Sequence, residues 1–129
     1  MESLLEKARE CEFDACGVVP VDVLFRERER LERWIGRGFH AGMNYMANNI
    51  EKRENPALLV EGARSVIVTL TNYYTPKLQS EGIPVVARYA YGKDYHRVVK
   101  DRLFKLHTCL EEVTGRKITG RAFVDSAPV

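Results

Sequence analysis

Apolar positions along the 129-residue chain change period several times, and each change predicts an element. Leu4, Leu5, Ala8 and Cys11 recur at helical intervals, and Ser3 and Glu6 have the spacing of a capping box. Together they predict a first helix over about Ser3–Glu12. Ala15–Pro20 is a short apolar run closed by proline, which predicts a buried strand. Asp22 stands where a helix cap would, ahead of Leu24, Leu31 and Ile35 on one helical side, and Gly36 and Gly38 end that helix. Within it the run Arg26–Arg33 alternates in sign and offers Arg28–Glu32 and Glu29–Arg33 pairs, which reads as a solvated face rather than a binding site. His40–Asn55 is less periodic and suits a short helix followed by a loop. Pro56 opens a helical turn over Ala57–Val60, and Gly62 stops it.

Ser65–Asn72 is the clearest strand, nearly continuous in β-branched and apolar residues, as expected of a central strand covered on both faces. Pro76–Pro84 is polar and loop-like. Val85–Tyr91 alternates, with Arg88 and Ala90 on one face and Ala87, Tyr89 and Tyr91 on the other, and predicts a further strand. Gly92 breaks it, and Asp94 caps a long helix running to about Val113. Along that helix Tyr95, Val98, Val99, Leu103, Leu106, Leu110 and Val113 form one apolar stripe, which Gly115 terminates. Ile118–Asp125 is the last predicted strand. The order α-β-α-α-β-β-α-β predicts an α/β fold, a single domain with a mixed sheet flanked by helices. A well-patterned strand followed by so little chain predicts a piece of a longer protein.

Composition narrows the classes. The apolar share of 45% is ordinary for a globular protein, and 29% charged residues argues for solubility. Twenty basic against eighteen acidic residues leaves +2, too little to imply nucleic-acid binding from charge alone. No run approaches a membrane span, and the first residues lack the basic and apolar regions of a signal peptide. Cys11, Cys16 and Cys109 are odd in number and lack a framework spacing, so three reduced thiols in a cytoplasmic protein is the expected state.

Candidate chemistry concentrates in Ala87–Arg97, which gathers Arg88, Tyr89, Tyr91, Lys93, Asp94, Tyr95, His96 and Arg97 between a strand and a helix start. Asp94 as a helix cap needs no further purpose. The functional reading is that the helix start presents an acid, a phenol and an imidazole to a polar ligand. Asp94 and His96 begin an Asp-x-His-x-x-Gly pattern, but Val99 stands at the glycine position, so that cobalamin signature is rejected. Neither His96 nor His107 has a second ligand at metal spacing, and no metal site is expected in the chain. Asp125 follows the apolar Phe123 and Val124. Desolvation there would raise its pKa toward general-acid use, and the competing reading is a turn made by Asp125 and Ser126 before Pro128. No nucleophile elbow, phosphate loop or dinucleotide fingerprint is present.

Four stretches in register resemble the N-terminal domain of epoxyqueuosine reductases. They are Gly42-Met43-Asn44-Tyr45-Met46, Arg53–Ser65, Ala87–Arg97 and Phe123–Val129. The resemblance implies reduction of epoxyqueuosine to queuosine in tRNA, in a cleft between this α/β domain and a following ferredoxin-like domain. It implies cobalamin in that cleft and [4Fe–4S] clusters in the following domain. By the same resemblance Asp125 matches the general acid, and Asp94, Tyr95 and His96 match the substrate side of the cleft. Met46, Arg53, Arg88, Tyr89 and Ser126 are further candidates for contact with cobalamin or substrate. The tRNA anticodon stem-loop and the ferredoxin-like domain are the implied partners, and no membrane is implied. The family's cysteine runs are absent here, so the chain alone is expected to hold no cluster and not to turn over. The alternatives are a non-catalytic α/β interaction module, and a cobalamin and iron–sulfur reductase with another substrate.

Overall fold

The computed structural model describes residues 4–124. In chain order these form α1 (Leu4–Glu10), β1 (Ala15–Pro20), α2 (Phe25–Gly36), a 3₁₀ turn at Asn44–Ala47, α3 (Ile50–Glu54), a 3₁₀ turn at Pro56–Leu58, β2 (Ser65–Leu70), a 3₁₀ turn at Arg88–Ala90 and α4 (Tyr95–Thr114). The two strands pair with each other. Asp14 N–H donates to Leu70 O and Val21 N–H to Arg64 O, each at 3.0 Å, so the pairing is antiparallel. The α/β class holds, but in place of the expected mixed sheet the described residues form one antiparallel pair. Packing divides the described residues into two compact units, one of 4–17, 68–118 and 122–124, the other of 18–67 and 119–121.

The first unit is built on α1 against α4. Ala8, Cys11, Phe13 and Leu106 are buried, and Leu4, Val99, Leu103, Cys109 and Leu110 pack around them. Leu4, Ala8, Cys11, Val99, Leu103, Leu106 and Leu110 are positions at which the two helical periodicities point inward, while Phe13 follows α1 and Cys109 lies beside the α4 stripe. Both ends of α4 are closed as the sequence indicates. The Asp94 carboxylate accepts from His96 N–H at 3.0 Å, and Gly115 takes the left-handed conformation, φ +65°, that ends the helix. Arg102 ties α4 to the end of α1, donating to Glu12 O at 3.1 Å and pairing with the Glu12 carboxylate at 3.2 Å. The three cysteines are free thiols, and burial, followed by the proximity of Cys109, pushes the Cys11 thiol up.

The second unit has a different basis. No residue of α2 is buried. Arg28 lies between Glu32, at 2.8 Å, and Glu54 at the end of α3, while Leu24 N–H donates to Glu54 O at 2.8 Å. These bonds account for the burial of the Glu54 carboxylate, which guanidinium pairing makes tolerable. Asp22 does not cap α2. Its Oδ1 accepts from the adjacent Val23 N–H at 2.7 Å, and Leu24 occupies the cap position without a side-chain bond. The Ser3 half of the predicted capping box lies outside the described residues.

Three strand expectations are corrected. Val85–Tyr91 is not a strand. Ala90 N–H turns back to Ala87 O at 2.9 Å and Tyr91 N–H to Arg88 O at 3.1 Å, forming the 3₁₀ turn. Alternation sets side-chain direction, but a strand also needs a partner for its backbone, and here those donors are satisfied locally. Residues 118–124 are not a strand either. Ile118 is held instead by α4, its N–H donating to Glu111 at 2.9 Å and its carbonyl meeting His107 Nε2 at 2.9 Å. β1 and β2 form as expected but are not buried: Val18 is 52% exposed and Leu70 61%. A two-stranded ladder has two faces, and the described residues cover neither completely.

Candidate functional site

Five of the six tyrosines fall between positions 73 and 95, all within the first unit. Three of them form an edge-to-face series. Tyr73 meets Tyr89 with ring centroids 6.3 Å apart, and Tyr89 meets Tyr95 at 5.9 Å, with planes crossing at 79° and 89°. Such crossings place the positive edge of one ring on the negative face of the next. His96 stacks on Tyr95 at 4.0 Å. The Arg88 guanidinium lies over the Tyr74 ring at 4.7 Å and donates to Thr75 O at 3.3 Å, so it is held by both a cation–π contact and a hydrogen bond.

Local chemistry explains why these groups converge. Gly92, at φ +85°, reverses the chain between the 3₁₀ turn and α4, a conformation that a side chain would strain. Asp94 then fixes the start of α4 through two bonds to His96, one from the backbone N–H and one to the ring Nδ1 at 2.8 Å. The ring bond first, and the backbone bond next, hold the Asp94 carboxyl below its ordinary value of 3.8. The Asp94 carboxylate is therefore an acceptor to the backbone and Nδ1 nitrogens of His96. Tyr89, Ala90, Gly92, Lys93, Asp94, Tyr95 and His96 line a hollow of about 310 Å³.

The structure therefore brings together five of the residues singled out in the sequence: Arg88, Tyr89, Asp94, Tyr95 and His96. Met46 and Arg53 belong to the second unit. There Arg53 donates to Asn48 O at 3.3 Å and Tyr45 O at 3.4 Å, bracing the turn that carries the half-buried Met46. Asp125 and Ser126 lie outside the described residues. Tyr73 and Tyr74 were missed by sequence reasoning because they sit in an aperiodic segment. The crowding of tyrosines was the available signal. Among the described residues no group of three or more His, Cys, Asp or Glu side chains could hold a metal ion. No described helix is long and apolar enough to cross a membrane.

Comparison with known proteins places these elements in a family. Residues 53–126, more than half the chain, match the family model described as epoxyqueuosine reductase QueG, DUF1730. An epoxyqueuosine reductase of Leadbetterella byssophila is 47% identical over 95% of this chain and 40% of its own length. One from Cyclobacterium marinum is 45% identical over 91% of this chain and 38% of its own. A crystal structure of epoxyqueuosine reductase with a tRNA-Tyr epoxyqueuosine-modified tRNA stem loop superposes with a TM-score of 0.80. It is 26% identical and is matched over 97% of this chain and 34% of that one. The chain spans about two fifths of the length of the curated relatives it matches. With the family match running through the tyrosine turn and into α4, the chain belongs to the epoxyqueuosine reductase family.

Proposed function

We propose that this chain is the N-terminal, substrate- and cobalamin-facing part of an epoxyqueuosine reductase of the cytoplasm, which reduces epoxyqueuosine to queuosine in tRNA. The observation that carries the reading is the family match over residues 53–126, which includes the tyrosine turn, Asp94, His96 and the Asp125-Ser126 pair. Family membership gives no support to a non-catalytic interaction module. The reaction removes the epoxide oxygen as water, consuming two electrons and two protons and leaving an alkene. When bound, cobalamin supplies those electrons, drawn from [4Fe–4S] clusters.

The donor set separates the two cofactors. Three cysteines cannot furnish the four thiolates of a [4Fe–4S] cluster, so this chain does not fit one, and the proposal assigns the clusters to a ferredoxin-like domain elsewhere in the longer protein. The tyrosine hollow is too small to enclose a corrin but offers the aromatic edges of Tyr89 and Tyr95, which suit one wall of a site for a flat, amide-fringed ligand. Tyr89 and Tyr95 are assigned to that wall, and Arg88, Met46, Arg53 and Ser126 are assigned as further contacts.

Within this reading the chain's own residues bind, orient and protonate. Asp94 keeps the first turn of α4 fixed and, with His96 and Tyr95, presents hydrogen-bonding groups to the modified nucleoside. By the family resemblance, the proton for the departing oxygen is assigned to Asp125. The test is Asp125→Asn in the longer protein, followed by nucleoside analysis of the treated tRNA. Loss of queuosine formation with cobalamin absorbance retained is expected. Turnover at the wild-type rate would remove Asp125 from the role.

A further inference from the structure

The tyrosine series extends beyond the residues that the proposed reaction uses. Tyr73 and Tyr74 are 67% and 65% exposed, and Tyr89 is 52% exposed. Rings this accessible serve no core among the described residues. Their positions are nevertheless fixed. The Asp14 carboxylate accepts from Asn72 N–H at 2.7 Å, and the Asn72 amide oxygen accepts in turn from Tyr74 N–H at 2.9 Å. Tyr73 is set against Tyr89, and Tyr74 carries the Arg88 guanidinium on its ring. Charge is concentrated in the same stretch. Residues 73–100 hold five Lys and Arg against two Asp and Glu, a formal +3, so the remainder of a +2 chain is net −1.

We propose that Tyr73 and Tyr74, backed by Arg88 and Tyr89, form a stacking platform for unpaired bases of an RNA loop. Held aromatic faces beside cations are the combination by which proteins bind single-stranded nucleic acid. Every base has a π-face to stack, and the cations meet the phosphates between bases. A duplex offers no such faces, because its bases already stack on one another. The choice of RNA rests on the tRNA-enzyme reading above. The stacking role of Tyr73 and Tyr74 rests on exposure, ring geometry and charge.

The experiment uses the longer protein and an unmodified tRNA anticodon stem-loop, which carries no epoxide and so reads binding without turnover. Fluorescence anisotropy at one fixed salt concentration compares wild type with the Tyr73→Ala/Tyr74→Ala and Tyr73→Phe/Tyr74→Phe variants. The alanine pair is expected to weaken binding roughly tenfold or more, and the phenylalanine pair to stay within about twofold of wild type. A blunt RNA duplex of equal length should bind wild type and the alanine pair alike. Hydrogen exchange in α4 checks folding. If the alanine pair unfolds, Tyr73→Leu and Tyr74→Leu, apolar but not aromatic, replace it with the same expected loss. Wild-type affinity in the alanine pair would overturn the platform while leaving the tRNA reading standing. No RNA binding by wild type would overturn both. Protection of both tyrosines from radical labelling without RNA would show that another segment of the protein covers them, and would overturn the platform alone.

Discussion

Helix α2 runs for twelve residues without burying one, whereas α4 runs for twenty and sets Leu106, 3% exposed, into a core with Ala8, Cys11 and Phe13. The ends differ as well. α4 has a carboxylate cap and a left-handed glycine, while α2 begins at Leu24 with no side-chain cap. α2 rests on half-buried Leu31, Trp34 and Ile35 and on charge, with Arg28 joining Glu32 on its own helix to Glu54 on α3. Apolar area and capping act wherever the helix sits, but an ion pair depends on its partner and on salt. The sturdier helix is the one that carries Asp94, Tyr95 and His96 at its start. The proposed binding surface would thus be built on the element with the firmer core, as preorganised sites require.

The largest effect should come from the α4 core. Leu106→Ala is expected to cost about 2–5 kcal/mol, because the buried side chain leaves a cavity that its neighbours fill only in part. Hydrogen exchange resolved by peptide should show amides of α1 and α4 opening together, with α2 much less affected. Equal loosening of both helices would mean that α2 also leans on this core. A smaller effect is expected from Arg28→Met, which leaves Glu54 without its counter-charge. Exchange should quicken in α2 and α3 and stay unchanged in α4, and wild type in about 1 M salt should move part of the way in the same direction. Insensitivity of α2 to both treatments would remove charge as its support. The smallest effect lies at Asp94. Its pKa is depressed in the folded chain, so its contribution is complete above the ordinary value of 3.8 and is lost as pH falls through the lower folded value. Asp94→Ala should therefore open the first turn of α4 at neutral pH, and the difference from wild type should vanish in acid below that value. A difference that persists there would point to packing rather than the carboxylate.

Local rules were legible in the sequence, and distant partners were not. The Asp94 cap, the Gly115 stop and the apolar stripe between them are written in neighbouring residues, and α4 follows them closely. Ala15–Pro20 and the first six residues of Ser65–Asn72 form strands as expected. Val85–Tyr91 has equally good alternation and is not a strand, because pattern cannot announce whether a backbone partner will lie alongside. The Arg28–Glu54 pair spans 26 residues and could not be read from spacing. At the site, Arg88, Tyr89 and the Asp94–His96 turn were legible as a cluster. Tyr73 and Tyr74 were hidden by a loop that has no period, and only the fold shows Tyr73 against Tyr89 and Tyr74 beneath Arg88.

The bond between Asp14 and Asn72 also bears on the order in which the protein assembles. It closes a separation of 58 residues, and it anchors the base of the segment that holds Tyr73 and Tyr74. α4 can wind up from contacts four residues apart, but this bond must wait until the chain between β1 and β2 has been brought round and the strands have met. Tyr73 and Tyr74, which directly follow Asn72, are consequently expected to be set in place after the helix that forms the other side of their cluster. A nascent chain would display them as loose rings on an unanchored loop for longer than any other part of the site.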